Sequence, residues 1–364
     1  MNTITTTRSR GRTVRALIAL AGSGALLAAC ATEAPGAPAP TASEPAAVAT
    51  IVQSTAYAEI DPALIEAAET ESGSLVMYDS TPDDKVNELF AAFREDFPFV
   101  TETKHVLLRA AEVATRVLQE SQAGVATADV AITGGPALTD LSERDLLLDV
   151  DWSAIGVPDE LVANDQLIAT AASIYVIIYN TDRVAEEDAP GGWDDLLDPK
   201  WAGKISMMSD PLPIAQLVPV LGGDKVTELW QGIAVQSPVM VQDTVAVANA
   251  VASGEAEIGI GHFHATQPAI SAGAPVEIVF PSPVALSLLY SAIPSGGDNP
   301  ATGKLFAAWL ATEKGAKLNE SISRRGNPFL PTTEAAELLK GREISAFAPQ
   351  DAGQLNQWLS TLSR

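Results

Sequence analysis

Residues 174–179 read IYVIIY, an unbroken apolar run rich in β-branched side chains. Such a run is typical of a strand that is buried on both faces, in a sheet with helices on each side. Residues 74–79 (SLVMYD) form a second short apolar run, and a helical pattern follows it. The apolar residues of that pattern recur at helical spacing: Val86, Leu89, Phe90, Phe93 and Phe97. Strands that alternate with helices in this way predict an α/β fold with parallel sheets.

The same alternation extends along the chain on either side of these two runs. Further strands are predicted over 128–133, 204–208, 256–260 and 276–280, and further helices over 62–68, 110–122 and 245–253. Pro62 stands at the first position of a helix, where the backbone N–H has no helical partner in any case. Gly134, Gly135 and Pro136 end one strand and begin another helix.

Length and composition limit the classes of protein that this chain can belong to. It has 364 residues and a formal net charge of −24. At about 150 residues per domain, the length suggests two domains, each able to bury a core. Phosphate would repel so acidic a chain, which excludes nucleic acid as a partner. One cysteine excludes an intramolecular disulfide, and three histidines leave little room for a histidine-rich metal centre.

The first residues have the pattern of a secretory leader. Four arginines within residues 8–15 precede an apolar stretch over 16–27, which ends in small residues before Cys30. The sequence around Cys30 resembles the bacterial lipobox, which implies a signal peptide over 1–29 and lipidation of the Cys30 thiol. Residues 30–56 are rich in alanine and proline, as in a flexible linker. We expect an extracytoplasmic lipoprotein that its lipid chains anchor to the bacterial cell membrane.

Several junctions between strand and helix have the composition of ligand-binding turns. Small, hydroxyl or acidic residues stand where predicted helices begin: Ser80, Thr81, Gly134, Gly135, Asp210, Asp243 and Thr244. Ligands of α/β sheets bind beyond the carboxyl ends of strands, where free N–H groups at helix N-termini attract anions. The alternative at each junction is a simple helix cap, as predicted for Ser80, Thr81 and Pro82 before the helix that contains Val86.

A family resemblance rests on several segments of the chain. They are 66–68 (EAA), 74–78 (SLVMY), 128–130 (ADV), 179–182 (YNTD), 193–205 (WDDLLDPKWAGKI), 251–256 (VASGEA) and 299–300 (NP). With these segments the chain resembles the extracellular solute-binding proteins of bacterial ABC transporters, in the ferric-iron-binding branch. The resemblance implies a two-lobe, periplasmic-binding-protein-like α/β fold with a hinge of crossing strands. It also implies an ABC permease and its ATPase as partners of a monomeric receptor.

The resemblance also suggests where the two lobes divide. Lobe 1 is expected over 57–168 plus 284–330, and lobe 2 over 169–283 plus 331–364. The hinge is expected near 165–175 and 280–285, where the chain crosses between the lobes. A small solute would be captured between the lobes as they close. Residues 324–326 (Arg-Arg-Gly) resemble a late loop of these receptors.

Two histidines stand where the resemblance places the ligand. Iron-binding members of the family carry two adjacent tyrosines shortly after the strand that corresponds to the predicted strand over 256–260. In this chain, residues 259–265 read GIGHFHA instead. In extended geometry His262 and His264 would share one face, which suits a metal or an anionic ligand. Ordinary histidines at the end of a strand are the alternative. His105 is interpreted as a surface or strand residue.

Two other side chains are candidates for the cleft. Arg109 lies just before a helix, where a guanidinium could clamp a carboxylate or phosphate, or simply lie on the surface. Tyr175 lines the cleft or packs in the core.

The sequence therefore predicts a membrane-anchored receptor of an ABC importer that captures a small solute between its lobes, and the resemblance implies a solute of the iron(III) type. The alternative cargo is an organic anion, such as a phosphonate or sugar phosphate, or a polyamine. No cofactor is predicted, and Fe³⁺ or another metal, if bound, would be the transported ligand. A metal-dependent hydrolase at His262 and His264 is a remote alternative, because no G-x-S-x-G, P-loop or HExxH motif occurs.

Overall fold

A computed structural model describes residues 53–347 and 352–362 of the chain. The predicted signal peptide, Cys30 and residues 30–52 of the predicted linker lie outside the described residues. Within the described part, no helix is both long enough and apolar enough to span a bilayer.

Helices and strands alternate along most of the described chain. The helices are α1 (Pro62–Glu69), α2 (Asp83–Asp96), α3 (Ala110–Ala123), α4 (Gly135–Ser142), α5 (Leu212–Ala215), α6 (Val218–Leu221), α7 (Gly223–Val235), α8 (Thr244–Ala252), α9 (Phe263–Ser271), α10 (Pro300–Trp309), α11 (Glu313–Ser323), α12 (Glu334–Leu339) and α13 (Ala352–Leu362). The strands are β1 (Ser74–Asp79), β2 (Glu102–Leu107), β3 (Val130–Gly134), β4 (Val162–Asn164), β5 (Leu167–Asn180), β6 (Ile205–Met208), β7 (Val239–Val241), β8 (Ile258–His262), β9 (Val276–Val279), β10 (Val284–Ala292) and β11 (Ile344–Ser345).

The strands form a mixed sheet in the order β2-β1-β3-β10-β5-β8-β6-β7. The pairs β1–β2, β1–β3, β6–β7 and β6–β8 are parallel, as the sequence predicts. The predicted parallel pairing holds for only part of the sheet, because β5 runs antiparallel to β8, β9 and β10, and β10 also runs antiparallel to β3. The first half of β5 pairs with β10 and its second half pairs with β8 and β9. The strands β5 and β10 therefore connect the two halves of the sheet.

Helices cover both faces of each half of the sheet, which gives the two-lobe α/β fold. In the second half of β5, Tyr175, Ile177 and Tyr179 enter one apolar core, whereas Ile174 and Val176 enter another. Separate cores lie around Phe93 and Leu138 in the other lobe. The prediction that 174–179 is buried on both faces is confirmed, and the strand extends over 14 residues.

The turn after β1 differs from its prediction. Ser80 and Thr81 do not cap α2; Pro82 occupies the N-cap position without a side-chain bond. The Thr81 hydroxyl donates instead to Asp79 Oδ2 at 2.5 Å, and the Thr81 N–H donates to Asp79 Oδ1 at 2.9 Å. The carboxylate at the end of β1 therefore fixes this turn.

One glycine allows α10 to approach β3 closely. A Cβ atom at Gly303 would lie 2.0 Å from the backbone oxygen of Asp129. We expect Gly303→Ala to lower the free energy of unfolding by about 1–3 kcal/mol, as overpacking does. Gly192→Ala is the matched control, because a Cβ there meets no atom within 4 Å. Thermal unfolding of both variants checks this, and an unchanged Tm for Gly303→Ala would contradict it.

Candidate ligand-binding site

A cavity of about 650 Å³ lies where the two lobes meet the crossing strands. Six of the residues predicted for ligand binding line it: Ser80, Arg109, Gly134, Tyr175, Asp210 and His262. These residues come from separate parts of the chain. The size of the cavity suits a small organic molecule.

The ends of four strands position four of these six residues. Ser80 follows the end of β1, and Gly134 ends β3 in one lobe. Asp210 follows β6, and His262 ends β8 in the other lobe. Since β1 and β3 are parallel, as are β6 and β8, each pair of ends lies at one edge of its half-sheet. Carboxyl ends of parallel strands are the usual place for a ligand, and the cavity lies there.

Arg325 also lines the cavity, and it was not among the site residues that the sequence predicts. Its Nη1 atom lies 3.4 Å from Ser80 Oγ and its Nη2 atom 3.3 Å from His264 Nε2. The loop after α11 is held to β5, because the Gly326 oxygen accepts from Ala172 N–H at 2.9 Å. The Arg325 guanidinium therefore reaches the cavity from a loop fixed against a crossing strand.

No carboxylate pairs with Arg325 among the described residues. Its Nε atom is buried and has no hydrogen-bond partner. Burial lowers the pKa of Arg325 from its ordinary value, and the negative charge of Asp79 partly offsets this effect. A buried donor without an acceptor is rare and costs free energy unless a ligand supplies the acceptor.

The contact with Arg325 fixes the protonation of His264. A guanidinium can only donate, so the Nε2 atom of His264 accepts and the proton of the neutral ring lies on Nδ1. This Nδ1 atom is buried and has no partner. Burial lowers the pKa of His264 well below its ordinary value, and the charges of Arg325 and His262 lower it further. His264 is therefore a neutral ring with a donor that a ligand oxygen could satisfy.

His262 is equally shielded from protonation. It is 8% exposed, and its ring packs against Tyr175 with 4.5 Å between ring centroids. Burial, and to a smaller extent the charge of Arg325, lowers the pKa of His262 to about 3. Its Nδ1 atom is also buried without a partner. Burial and the nearby Asp210 raise the pKa of Tyr175, so this phenol stays neutral.

The prediction that His262 and His264 extend from a strand is wrong. His262 ends β8 and is the N-cap of α9, which begins at Phe263. His264 therefore lies in the first turn of a helix. The two rings nevertheless contact each other, with 5.3 Å between their centroids.

The charged side chains that line the cavity are two arginines, Arg109 and Arg325, and two aspartates, Asp140 and Asp210. Asp140 pairs with Arg144 at 3.0 Å, and Asp210 Oδ1 accepts from the Leu212 N–H at 2.9 Å. Arg109 precedes α3, and its backbone N–H donates to Glu112 at 2.7 Å. Arg109 and Arg325 together supply two guanidinium groups to the lining.

The structure places five of the predicted residues outside the lining of this cavity: Thr81, Gly135, Asp243, Thr244 and His264, of which His264 contacts the lining residue Arg325. Thr81 is buried next to Asp79, and Gly135 is the first residue of α4. Asp243 caps α8 by accepting from the Ala246 N–H at 2.8 Å, and Thr244 begins that helix. Asp243 thus has the capping role that the sequence left open as the alternative.

Residues of α13 also line the cavity, and no sequence motif marks them as part of a site. Leu355, Asn356 and Leu359 of α13 line the cavity. Leu355 is also buried in the core of the second lobe, together with Leu362. Ser173 and Ser287 add hydroxyl groups from the crossing strands.

A cluster of three or more histidine, cysteine, aspartate or glutamate side chains able to hold a metal is absent from the described residues. His262 and His264 lie beside the positive charge of Arg325. That charge repels a metal cation for the same reason that it repels a proton.

Residues 88–341 match the family of bacterial extracellular solute-binding proteins. This range is more than half of the chain, and the chain belongs to that family. Together with the two-lobe α/β fold, the match confirms the family that the sequence predicts. It defines the class of the protein as a solute-binding protein.

Solved structures share the fold at low sequence identity. Iron-bound HitA from Pseudomonas aeruginosa superposes with a TM-score of 0.67 and 19% identity, over 80% of this chain and 98% of that one. AfuA from Actinobacillus pleuropneumoniae, with exogenous fructose 6-phosphate bound, gives 0.64 and 20%, over 80% and 99%. An uncharacterized protein of Haemophilus influenzae is 27% identical over 162 residues, which are 40% of this chain and 46% of the relative. The match thus spans about half of that relative.

Proposed function

We propose that this chain is the receptor of an ABC importer and that its cargo is a small organic anion, such as a sugar phosphate or a phosphonate. The observation that carries this proposal is the pair of buried donors without acceptors, Arg325 Nε and His264 Nδ1, beside the buried and unpartnered Nδ1 atom of His262. Phosphate oxygens accept several hydrogen bonds at once and match the fork of a guanidinium. Arg325 is the expected partner of the anionic group.

The rest of the cavity fits the uncharged part of such a solute. Asp210 offers a carboxylate to hydroxyl groups, and Ser173 and Ser287 offer hydroxyls. Fe³⁺ and polyamines are favoured less, because the guanidinium of Arg325, which has no paired carboxylate among the described residues, would repel a cation at its end of the cavity. The AfuA structure with its sugar phosphate shows that this fold accommodates such a ligand.

The route of delivery is part of the same proposal. Cys30 would carry the lipid that anchors the receptor to the cell membrane, and the closed lobes would present the solute to a permease and its ATPase. Closure would bend the chain near 165–175 and 280–285, between a lobe over 57–168 plus 284–330 and a lobe over 169–283 plus 331–364. The pairing of β5 with β10 in one half and with β8 in the other supports a hinge there. A solute drives closure only if it binds the closed state more tightly than the open one.

Mass spectrometry and calorimetry of the purified chain test the cargo. We expect a native mass that exceeds the denatured mass by a few hundred daltons, and binding of fructose 6-phosphate at micromolar Kd or tighter. Fructose and inorganic phosphate are the matched probes for the two halves of that ligand. An added mass that fits iron alone, with no binding of the phosphate ester, would contradict the proposal and favour the ferric alternative.

A further inference from the structure

A cluster of three ionisable side chains, His105, Asp79 and Asp83, lies behind the turn that carries Ser80. His105 on β2 places Nε2 2.8 Å from Asp79 Oδ1 and Nδ1 2.6 Å from Asp83 Oδ1. The His105 side chain is 3% exposed, whereas that of Asp83 is 70% exposed. The interpretation of His105 as a strand residue is confirmed, but its side chain is buried rather than on the surface.

The contacts of His105 fix its charge. Ionised carboxylates only accept hydrogen bonds, so a ring that faces one from each nitrogen must carry a proton on both. His105 is therefore an imidazolium in this arrangement. Burial alone would lower the pKa of His105, but the hydrogen bonds and charges of Asp79 and Asp83 outweigh it and raise the pKa.

Asp79 connects this imidazolium to the proposed anion site. It is 6% exposed and fixes the Ser80 turn through its two hydrogen bonds with Thr81. Asp79, Thr81 and Arg325 line one small cavity of about 20 Å³, which has room for a single water molecule. The charge of Asp79 also acts on the pKa of Arg325. The carboxylate thus lies between His105 and the guanidinium that would bind the anion.

We propose that His105 is a positioning residue for anion capture: as an imidazolium it neutralises Asp79, so that the charge of Arg325 stays available to the ligand. This inference rests on the proposed function. Loss of the His105 proton would leave Asp79 uncompensated beside Arg325, where it would attract the guanidinium and repel the anion. It would also break one of the two hydrogen bonds of the ring, since a lone pair would then face a carboxylate.

The affinity for an anion is therefore expected to fall as the pH rises through the raised pKa of His105. The charged groups that face His105 are Asp79 from β1 and Asp83 from α2, with Arg325 beyond Asp79. His262 and His264 remain neutral over this range, because their pKa values are lowered. Work above about pH 7.5 keeps a phosphate monoester doubly charged, so that the ligand itself does not titrate.

Calorimetry of the full chain with fructose 6-phosphate tests the proposal, over a pH series that starts at about pH 7.5 and extends upward through the raised pKa of His105. The wild type is expected to lose affinity about three- to tenfold as His105 deprotonates. His105→Gln keeps a donor to Asp79 but carries no charge. This variant is expected to bind at the lower end of the pH range as weakly as the wild type does at the upper end, with a flat profile.

Asp83→Asn provides an independent second variant. It removes one of the two acids that raise the pKa of His105, so the loss of affinity is expected to begin at lower pH. A wild-type pH profile in both His105→Gln and Asp83→Asn would overturn the role of His105 and leave the anion receptor intact. If the wild type binds neither fructose 6-phosphate nor inorganic phosphate at any pH, both this inference and the proposed function are overturned.

Discussion

Replacement of Arg325 by glutamine is expected to weaken the binding of a phosphate-bearing solute by about 30-fold to several thousand-fold. Truncation of one partner in a desolvated charge pair costs about 2–5 kcal/mol, because the other charge is left unpaired. Arg325 meets this description, since its Nε atom is buried and has no partner in the described chain. Isothermal calorimetry with fructose 6-phosphate measures the effect, and the loss should appear mainly as faster dissociation.

Arg324→Gln is the matched control for Arg325→Gln. The two variants change the net charge equally and lie at adjacent positions, but Arg324 is exposed at the end of α11. Arg324→Gln is expected to change the affinity less than about twofold. Arg325→Lys keeps the charge without the planar fork and is expected to fall between Arg325→Gln and the wild type. Equal losses in the Arg324 and Arg325 variants would show that overall charge, and not this guanidinium, governs binding.

The elements that the sequence predicted well are those whose local pattern and tertiary surroundings agree. Residues 74–79 match β1 residue for residue, because the run is apolar and turn residues follow it. The helix predicted over 110–122 corresponds to α3, with Val113 and Val117 buried as helical spacing requires. Ser80, Gly134 and Asp210 line the cavity because strand ends determine ligand sites in α/β folds.

Polar edge strands carry a weaker signal. β2 (ETKHVL) is the outermost strand beside β1, and none of its residues is fully buried. Its sequence therefore lacks the apolar alternation by which half-buried strands are recognised. The burial of the His105 side chain was missed for the same reason, since it depends on Asp79 and Asp83, which lie elsewhere in the chain.

Arg325 shows where sequence reasoning stops. Its place in the site depends on the bond from Ala172 to Gly326 and on a contact with Ser80, which lies 245 residues earlier. The pair Arg324-Arg325 gives no local sign of which guanidinium is turned inward. Likewise, a count of residues between His262 and His264 cannot show that a helix begins at Phe263. Contacts over such separations are set by the fold and not by spacing.

Acidification is expected to destabilise the protein through the buried histidines of the cleft. The pKa of His262 is about 3 in the folded chain and about 6.5 in an unfolded one. Between these values the unfolded chain binds a proton that the folded chain excludes, so the free energy of unfolding falls as the pH drops. From about pH 7.5 to about pH 5, His262 alone should remove about 2 kcal/mol. His264 acts in the same direction, since its pKa is also lowered.

Urea unfolding at the two pH values, with the wild type and the double variant His262→Asn/His264→Asn, measures this effect. The double variant should lose less stability on acidification, although it starts from a lower value at neutral pH. The pH dependence that His105 contributes to the free energy of unfolding has the opposite sign. Because the pKa of His105 is raised, its stabilisation is present at low pH and is lost as the pH rises. His105→Gln is expected to remove this contribution. An equal acid-induced loss in the wild type and the double variant would assign the acid sensitivity to carboxylates instead. A bound anion should reduce the loss in the wild type, because its negative charge would favour protonation of the two rings next to Arg325.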